Sequence, residues 1–164
     1  MDGEPADHAI GRSRGGPSTK IHLARDGLGR PLSIVLTGGN VNDCTMFTRV
    51  LAGIRMPRPG RGRPWTRPRR VLADKGYSSK AIRQYLRRRG IAATIPERVD
   101  QQHNRRRRGP AGGPPTFDPT AYRRNVVERC FNRLKQYRAI ATRYDKTAQS
   151  YRGMLDLATL LMWL

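Results

Sequence analysis

The sequence predicts an α/β fold, a mixed sheet flanked by helices, and three observations predict it. Two β-like runs, residues 19–24 and 31–37, flank the turn signal Asp26-Gly27-Leu28-Gly29, which makes an antiparallel hairpin. Two short apolar runs, residues 70–73 and 91–95, bracket one helical stretch. A strand, helix and strand of that length form a unit whose strands run parallel. Helical periodicity over residues 118–137, and an apolar run ending TLLMWL, supply the later helices.

Taken in order, residues 1–17 are polar and Gly-rich and read as a flexible lead-in to a domain spanning 18–164. After the hairpin, residues 40–43 offer capping side chains. Phe47, Val50, Leu51 and Ile54 then recur at helical spacing. Residues 56–70 combine Pro57, Pro59, Pro64 and Pro68 with Gly60, Gly62 and an arginine series, so they read as a loop. In that loop Arg63 and Arg67 can meet phosphates and Trp65 can stack on a base. Ser78 or Ser79 caps the next helix, Ile82, Tyr85 and Leu86 face inward, and Gly90 stops it. Residues 97–117 are a second basic Gly/Pro-rich loop, with Arg105, Arg106, Arg107 and Arg108 in one run. Asp118 and Pro119 suit the start of a single helix through Tyr137. Its apolar face is Val126, Cys130, Leu134 and Tyr137, with Val127 and Phe131 beside them.

Charge narrows the function. Lys and Arg number 33 against 12 acids, a net charge of +21. That excess calls for a polyanionic partner, first of all nucleic acid. A membrane surface fits less well, because the bases lie in loops and not along one face of an apolar helix. The C-terminal apolar run is short for a membrane span and contains Asp156. A cytoplasmic, nucleoid-associated bacterial protein is expected. Cys44 and Cys130 lack metal or redox spacing and read as small hydrophobes, and His8, His22 and His103 are scattered.

Two carboxylates stand out. Asp74 follows the strand at 70–73, where functional groups gather in open α/β sheets, and Gly76 allows a sharp turn beneath it. Glu128 shares a helix stripe with Arg124 and Lys135. Taken singly, Asp74 reads as a turn cap and Glu128 as an ion-pair partner. Together, in so basic a chain, they are the hard oxygen ligands that Mg²⁺ or Mn²⁺ needs for phosphoryl transfer, with Arg124 and Lys135 placed to hold phosphates.

The segments GGPSTKIHLARDGLGRPLSIVLTGGNVND, VLADKGYSS and RRNVVERCFNRLKQYRAIATRYDKTAQSY resemble the C-terminal catalytic part of bacterial insertion-sequence DDE transposases, in the group typified by insertion sequences four and five. The resemblance implies a ribonuclease H-like mixed sheet, divalent-metal catalysis with Mg²⁺ or Mn²⁺, and cutting and joining of double-stranded DNA at element ends and target. It also implies homo-oligomers. It maps the family's second aspartate onto Asp74 and its glutamate onto Glu128. The Arg, Glu and Lys of the family's helix signature map onto Arg124, Glu128 and Lys135.

Three departures accompany it. Tyr122 lies one residue too close to Arg124, and Pro17 stands where the family more often has an aliphatic residue. The family's first aspartate and its strand have no counterpart, since Asp2 is too near the hairpin. An N-terminally truncated transposase, inactive alone, is therefore expected. The alternatives are a non-catalytic nucleic-acid-binding protein acting through its arginine-rich loops, and a domain completed by another polypeptide that supplies the first aspartate.

Overall fold

A computed structural model describes residues 8–107, 109, 113–122 and 125–164, without the side chains of residues 125–127. The chain divides into two compact units, Met1–Met56 with Asn125–Leu164, and Pro57–Arg124. Each is described by itself.

The first unit is built on an antiparallel sheet in the order β1 (Gly11–Ser13), β2 (Gly16–Arg25), β3 (Pro31–Gly38). The hairpin predicted from the Asp26-Gly27-Leu28-Gly29 turn is β2–β3, with Ile21 opposite Leu36 and Leu23 opposite Ile34. Asp26 closes the turn by accepting the backbone N–H groups of Leu28 and Arg30, both at 2.9 Å. Period-two alternation sorts the faces of β2. Ile21, Leu23 and Leu36 pack on a core of Ile34, Cys130, Leu134, Ile140, Tyr151, Leu155, Ala158 and Met162. His22, one residue out of phase, instead meets Asp43 at the start of α1 (Asp43–Ala52). The Asn42 side chain caps α1 by accepting the N–H of Cys44. The helix buries Phe47, Val50 and Leu51.

Helices α4 (Asn125–Lys135), α5 (Arg138–Ala141) and α6 (Ala148–Trp163) complete this unit. The Thr147 side chain caps α6 by accepting the N–H of Ser150. Arg152 Nη1 and Trp163 Nε1 fasten α6 to β3 by donating to Ile34 O at 2.6 Å and Pro31 O at 2.9 Å. No helix among the described residues is long and apolar enough to cross a membrane.

In the second unit β4 (Arg70–Leu72) pairs in parallel with β5 (Ala92–Thr94), as the strand-helix-strand pattern predicted. Between them α2 (Lys80–Arg88) is capped by Ser79 and buries Ile82 and Leu86. Gly90, at φ +62°, ends it in the left-handed conformation that glycine adopts at least cost.

Five expectations are corrected. Residues 8–17 are not a flexible lead-in throughout: Gly11–Ser13 pairs with residues 16–18, and Gly16 at φ +103° makes the tight return possible. The stretch 97–117 is not all loop. It holds α3 (Val99–Arg107), a helix with no buried residue. Polar contacts hold it in place of an apolar stripe. Arg105 Nη2 donates to Glu97 Oε2 at 3.0 Å, Arg98 pairs with Asp100 at 3.2 Å, and Gln101 bonds Ser78. The helix expected from Asp118 begins at Asn125 instead. Asp118 opens a turn, its carboxylate accepting the N–H of Ala121 at 3.0 Å, and the boundary between the two units follows at 124 and 125. Tyr137 does not extend the apolar face of α4; it is exposed and stands before α5. Finally, the described strands pair as two sheets, one antiparallel and one parallel, and not as one mixed sheet. Hairpin and parallel pair are separated in the chain and lie in different units, so no ladder joins them among the described residues.

Candidate functional site

Asp74 stands two residues past the carboxyl end of β4, as the sequence led one to expect. Its backbone is extended (φ −68°, ψ 162°) and it caps a 3₁₀ turn over Lys75–Tyr77. One carboxylate oxygen accepts the N–H of Lys75 at 2.6 Å, and the Asp74 carbonyl accepts the N–H of Tyr77 at 2.9 Å. The cap fixes the direction of the side chain while the group stays exposed. The turn is anchored from behind. Ser78 is buried; its Oγ donates to Gln101 Oε1 at 2.6 Å, and Gln101 Nε2 donates to the Ser78 carbonyl at 3.0 Å. The segment that carries Asp74 is thereby fastened to α3.

That fastening sorts the arginine run. Arg105 is half-buried and bound to Glu97, so its first role is to hold the helix. Arg106 and Arg107 are exposed, together with His103 and Asn104. Arg108 lies outside the described residues. Sequence reasoning missed Gln101 and offered Ser78 only as a helix cap, a place that Ser79 takes. A polar pair separated by 23 residues leaves no periodic signal.

Ahead of β4, the loop at 57–69 keeps the irregular form predicted for it, and Trp65 is exposed. Arg67 Nη1 reaches the Arg89 carbonyl, at 3.4 Å. Arg63 is exposed. Arg70, at the start of β4, donates to Asp118 Oδ2 at 2.6 Å. The Ala121 N–H and then the Arg70 guanidinium hold the Asp118 carboxyl below the usual carboxylate range. The second unit concentrates the charge. Residues 57–124 carry 19 Lys and Arg against 4 acids, 19 − 4 = +15 of the total of +21.

Glu128 lies in the first unit, exposed in the first turn of α4. Cys130 and Leu134 anchor that helix from the opposite side, both buried in the core. Burial pushes the Cys130 thiol up, which suits the small hydrophobe expected of it. Lys135 is exposed, two helical turns from Glu128. Arg124 lies outside the described residues. Asp74 and Glu128 therefore belong to different units, and each is an exposed carboxylate on a well-anchored element. As hard oxygen donors both suit a divalent cation. Among the described residues no group of three or more His, Cys, Asp or Glu side chains is gathered to hold one.

The family model described as "Transposase DDE domain" matches residues 4–163. A Burkholderia cepacia protein, named as a transposase for insertion sequence element IS402, is 35% identical over 160 residues, which is 98% of this chain and 69% of that relative. A Brucella ovis protein, named as a transposase for insertion sequence element IS6501, is 31% identical over 148 residues, 90% of this chain and 98% of that relative. No solved structure matches. The match runs through the hairpin, the strand end at Asp74 and the helix at Glu128 alike, and the chain belongs to the DDE-domain transposase family.

Proposed function

We propose that this chain carries out metal-dependent cleavage and transfer of DNA strands at insertion-sequence ends, with Asp74 and Glu128 as ligands for Mg²⁺ or Mn²⁺ in a ribonuclease H-like catalytic domain. The observation that carries the proposal is Asp74, a capping carboxylate at the end of a parallel strand, inside a unit of net charge +15 and a DDE-domain match. When bound, a pair of divalent ions activates an attacking hydroxyl and stabilises the leaving oxygen.

The chain's own residues prepare the substrate. The exposed Arg106, Arg107 and Arg63, with Arg67, Arg108, Arg124 and Lys135, contact phosphates of double-stranded DNA and release its counterions. Arg105 fixes α3 so that its neighbours stay presented. The Lys75 N–H orients Asp74. The protein works as a homo-oligomer on paired ends, and in its bacterial host is held at the nucleoid by its charge.

Nicking of DNA carrying the element's ends, in Mg²⁺ or Mn²⁺, tests the proposal. Nicking is expected, and Asp74→Asn or Glu128→Gln should each abolish it. Nicking that survives both substitutions would overturn the site.

The concentration of charge in one unit favours a second reading, a non-catalytic nucleic-acid-binding protein. Titration with Mn²⁺ separates the two. Affinity unchanged by Asp74→Asn and Glu128→Gln selects the second.

A further inference from the structure

The loop at 57–69 and the turn at Gly90 enclose a groove of ≈ 550 Å³. Arg58, Trp65, Arg67, Arg69 and Gly90 line it, and no acid does. The indole of Trp65 is 51% exposed, and the Arg58 guanidinium lies 5.4 Å from its ring centroid. Prolines 57, 59, 64 and 68 restrict the backbone φ of the loop that carries these groups. Two hydrogen bonds tie that loop to the parallel unit: Ala92 N to Arg69 O at 3.1 Å, and Arg67 Nη1 to Arg89 O at 3.4 Å.

Arg69 and Gly90 precede β4 and β5, whereas Asp74 follows β4. Parallel strands put all their amino ends on one side, so the groove and Asp74 occupy opposite ends of the pair. Three strand residues separate those ends, about 10 Å of rise. The groove is thus a separate place from the carboxylate site.

We propose that this groove binds an unpaired segment of DNA. A base stacks on Trp65, and the flanking phosphates are held by Arg58, Arg67 and Arg69. The inference rests on the DNA-binding reading above and names the form of DNA taken here. Its chemistry favours single strands. A duplex hides its base faces within the stack and offers the groove phosphates alone, whereas an unpaired base presents a π face to the indole. Stacking on an indole tolerates any base, because every base has a π face.

Fluorescence anisotropy with labelled oligo(dT), an abasic strand of the same length, and a duplex tests the groove. Trp65→Leu should weaken oligo(dT) binding about tenfold, the scale of one lost base–aromatic stack. The same substitution should leave duplex binding within about twofold, and Trp65→Phe, which keeps an aromatic face, should retain oligo(dT) binding. The wild-type protein should bind the abasic strand more weakly than oligo(dT). Oligo(dT) affinity unchanged in Trp65→Leu, or an abasic strand bound as tightly as oligo(dT), overturns the inference. Equal losses on single strand and duplex also overturn it. None of these readouts uses metal or cleavage. Failure of the nicking experiment therefore leaves this result standing, and failure here leaves Asp74 and Glu128 untouched.

Discussion

Ser78 and Gln101 are joined by two hydrogen bonds, Oγ to Oε1 at 2.6 Å and Nε2 to the Ser78 carbonyl at 3.0 Å. This pair fixes the strand-end turn of Asp74 to a helix that has no apolar anchor of its own. Gln101→Ala leaves the Ser78 hydroxyl, 3% exposed, without its acceptor. The expected cost is about 1–3 kcal/mol in urea unfolding. Combining it with Ser78→Ala should cost less than the two single losses added, and strict additivity would show that the pair is not coupled.

Asp74 caps its turn with a carboxylate oxygen, and an amide oxygen can do the same. Asp74→Asn should therefore melt within about 0.5 kcal/mol of the parent protein, while Asp74→Ala should lose about 1 kcal/mol of capping. Thermal unfolding decides this. A large loss in Asp74→Asn would mean that the carboxylate charge supports the fold, and that the substitution cannot isolate catalysis.

His22 is 4% exposed, its Nε2 lies 2.7 Å from Thr37 Oγ1, and its Nδ1 lies 3.3 Å from Asp43. Burial is the largest influence and holds the imidazole below its ordinary value of 6.5. Asp43 opposes it and Lys20 adds to it. The unfolded chain therefore binds a proton near pH 6.5 that the folded chain refuses. Stability from this residue is present above pH 6.5 and is lost as pH falls toward the folded value. His22→Gln should flatten the fall in melting temperature between pH 7 and 5, and an unchanged slope would assign the fall to other groups.

Leu134 is 0% exposed and holds α4, the helix of Glu128, to the core. Leu134→Ala should cost about 2–5 kcal/mol through lost burial and a residual cavity. Denaturant unfolding measures it. A cost under about 1 kcal/mol would mean that the helix is anchored elsewhere.

Neighbouring arginines on α3 should behave differently. Arg106 is exposed, and Arg106→Ala should lower duplex affinity and reduce the magnitude of the salt slope by about one. Arg105 is bound to Glu97, so Arg105→Ala should instead lower the melting temperature. Equal salt slopes in both variants and the parent would remove α3 from the DNA interface.

The elements legible in the sequence are those set by local rules. The Asp26-Gly27-Leu28-Gly29 turn, the period-two runs beside it and the Ser79 cap each lie within a few residues of the structure they dictate. The helix at 99–107 was not legible, because α3 buries nothing and its ties to Ser78 and Glu97 are made by polar atoms. Asp118 reads locally as the start of a long helix, since nothing nearby shows that Arg70, 48 residues earlier, takes its carboxylate. Asp74 follows its strand as the apolar run before it predicts, and its cap on Lys75 is again a local feature.

By itself, then, the sequence determined the hairpin, the parallel pair around α2, the buried side of α4 and membership of the DDE-domain transposases. Patterning, capping and turn chemistry act over short spans and are written in neighbouring residues. Only the tertiary structure decided that His22 would meet Asp43, that α3 would be held by Gln101, and that the chain would divide at residue 124 with Asp74 and Glu128 on different units. The physical reason is that a polar contact between distant residues depends on where the fold brings two atoms, and one-dimensional spacing does not record that.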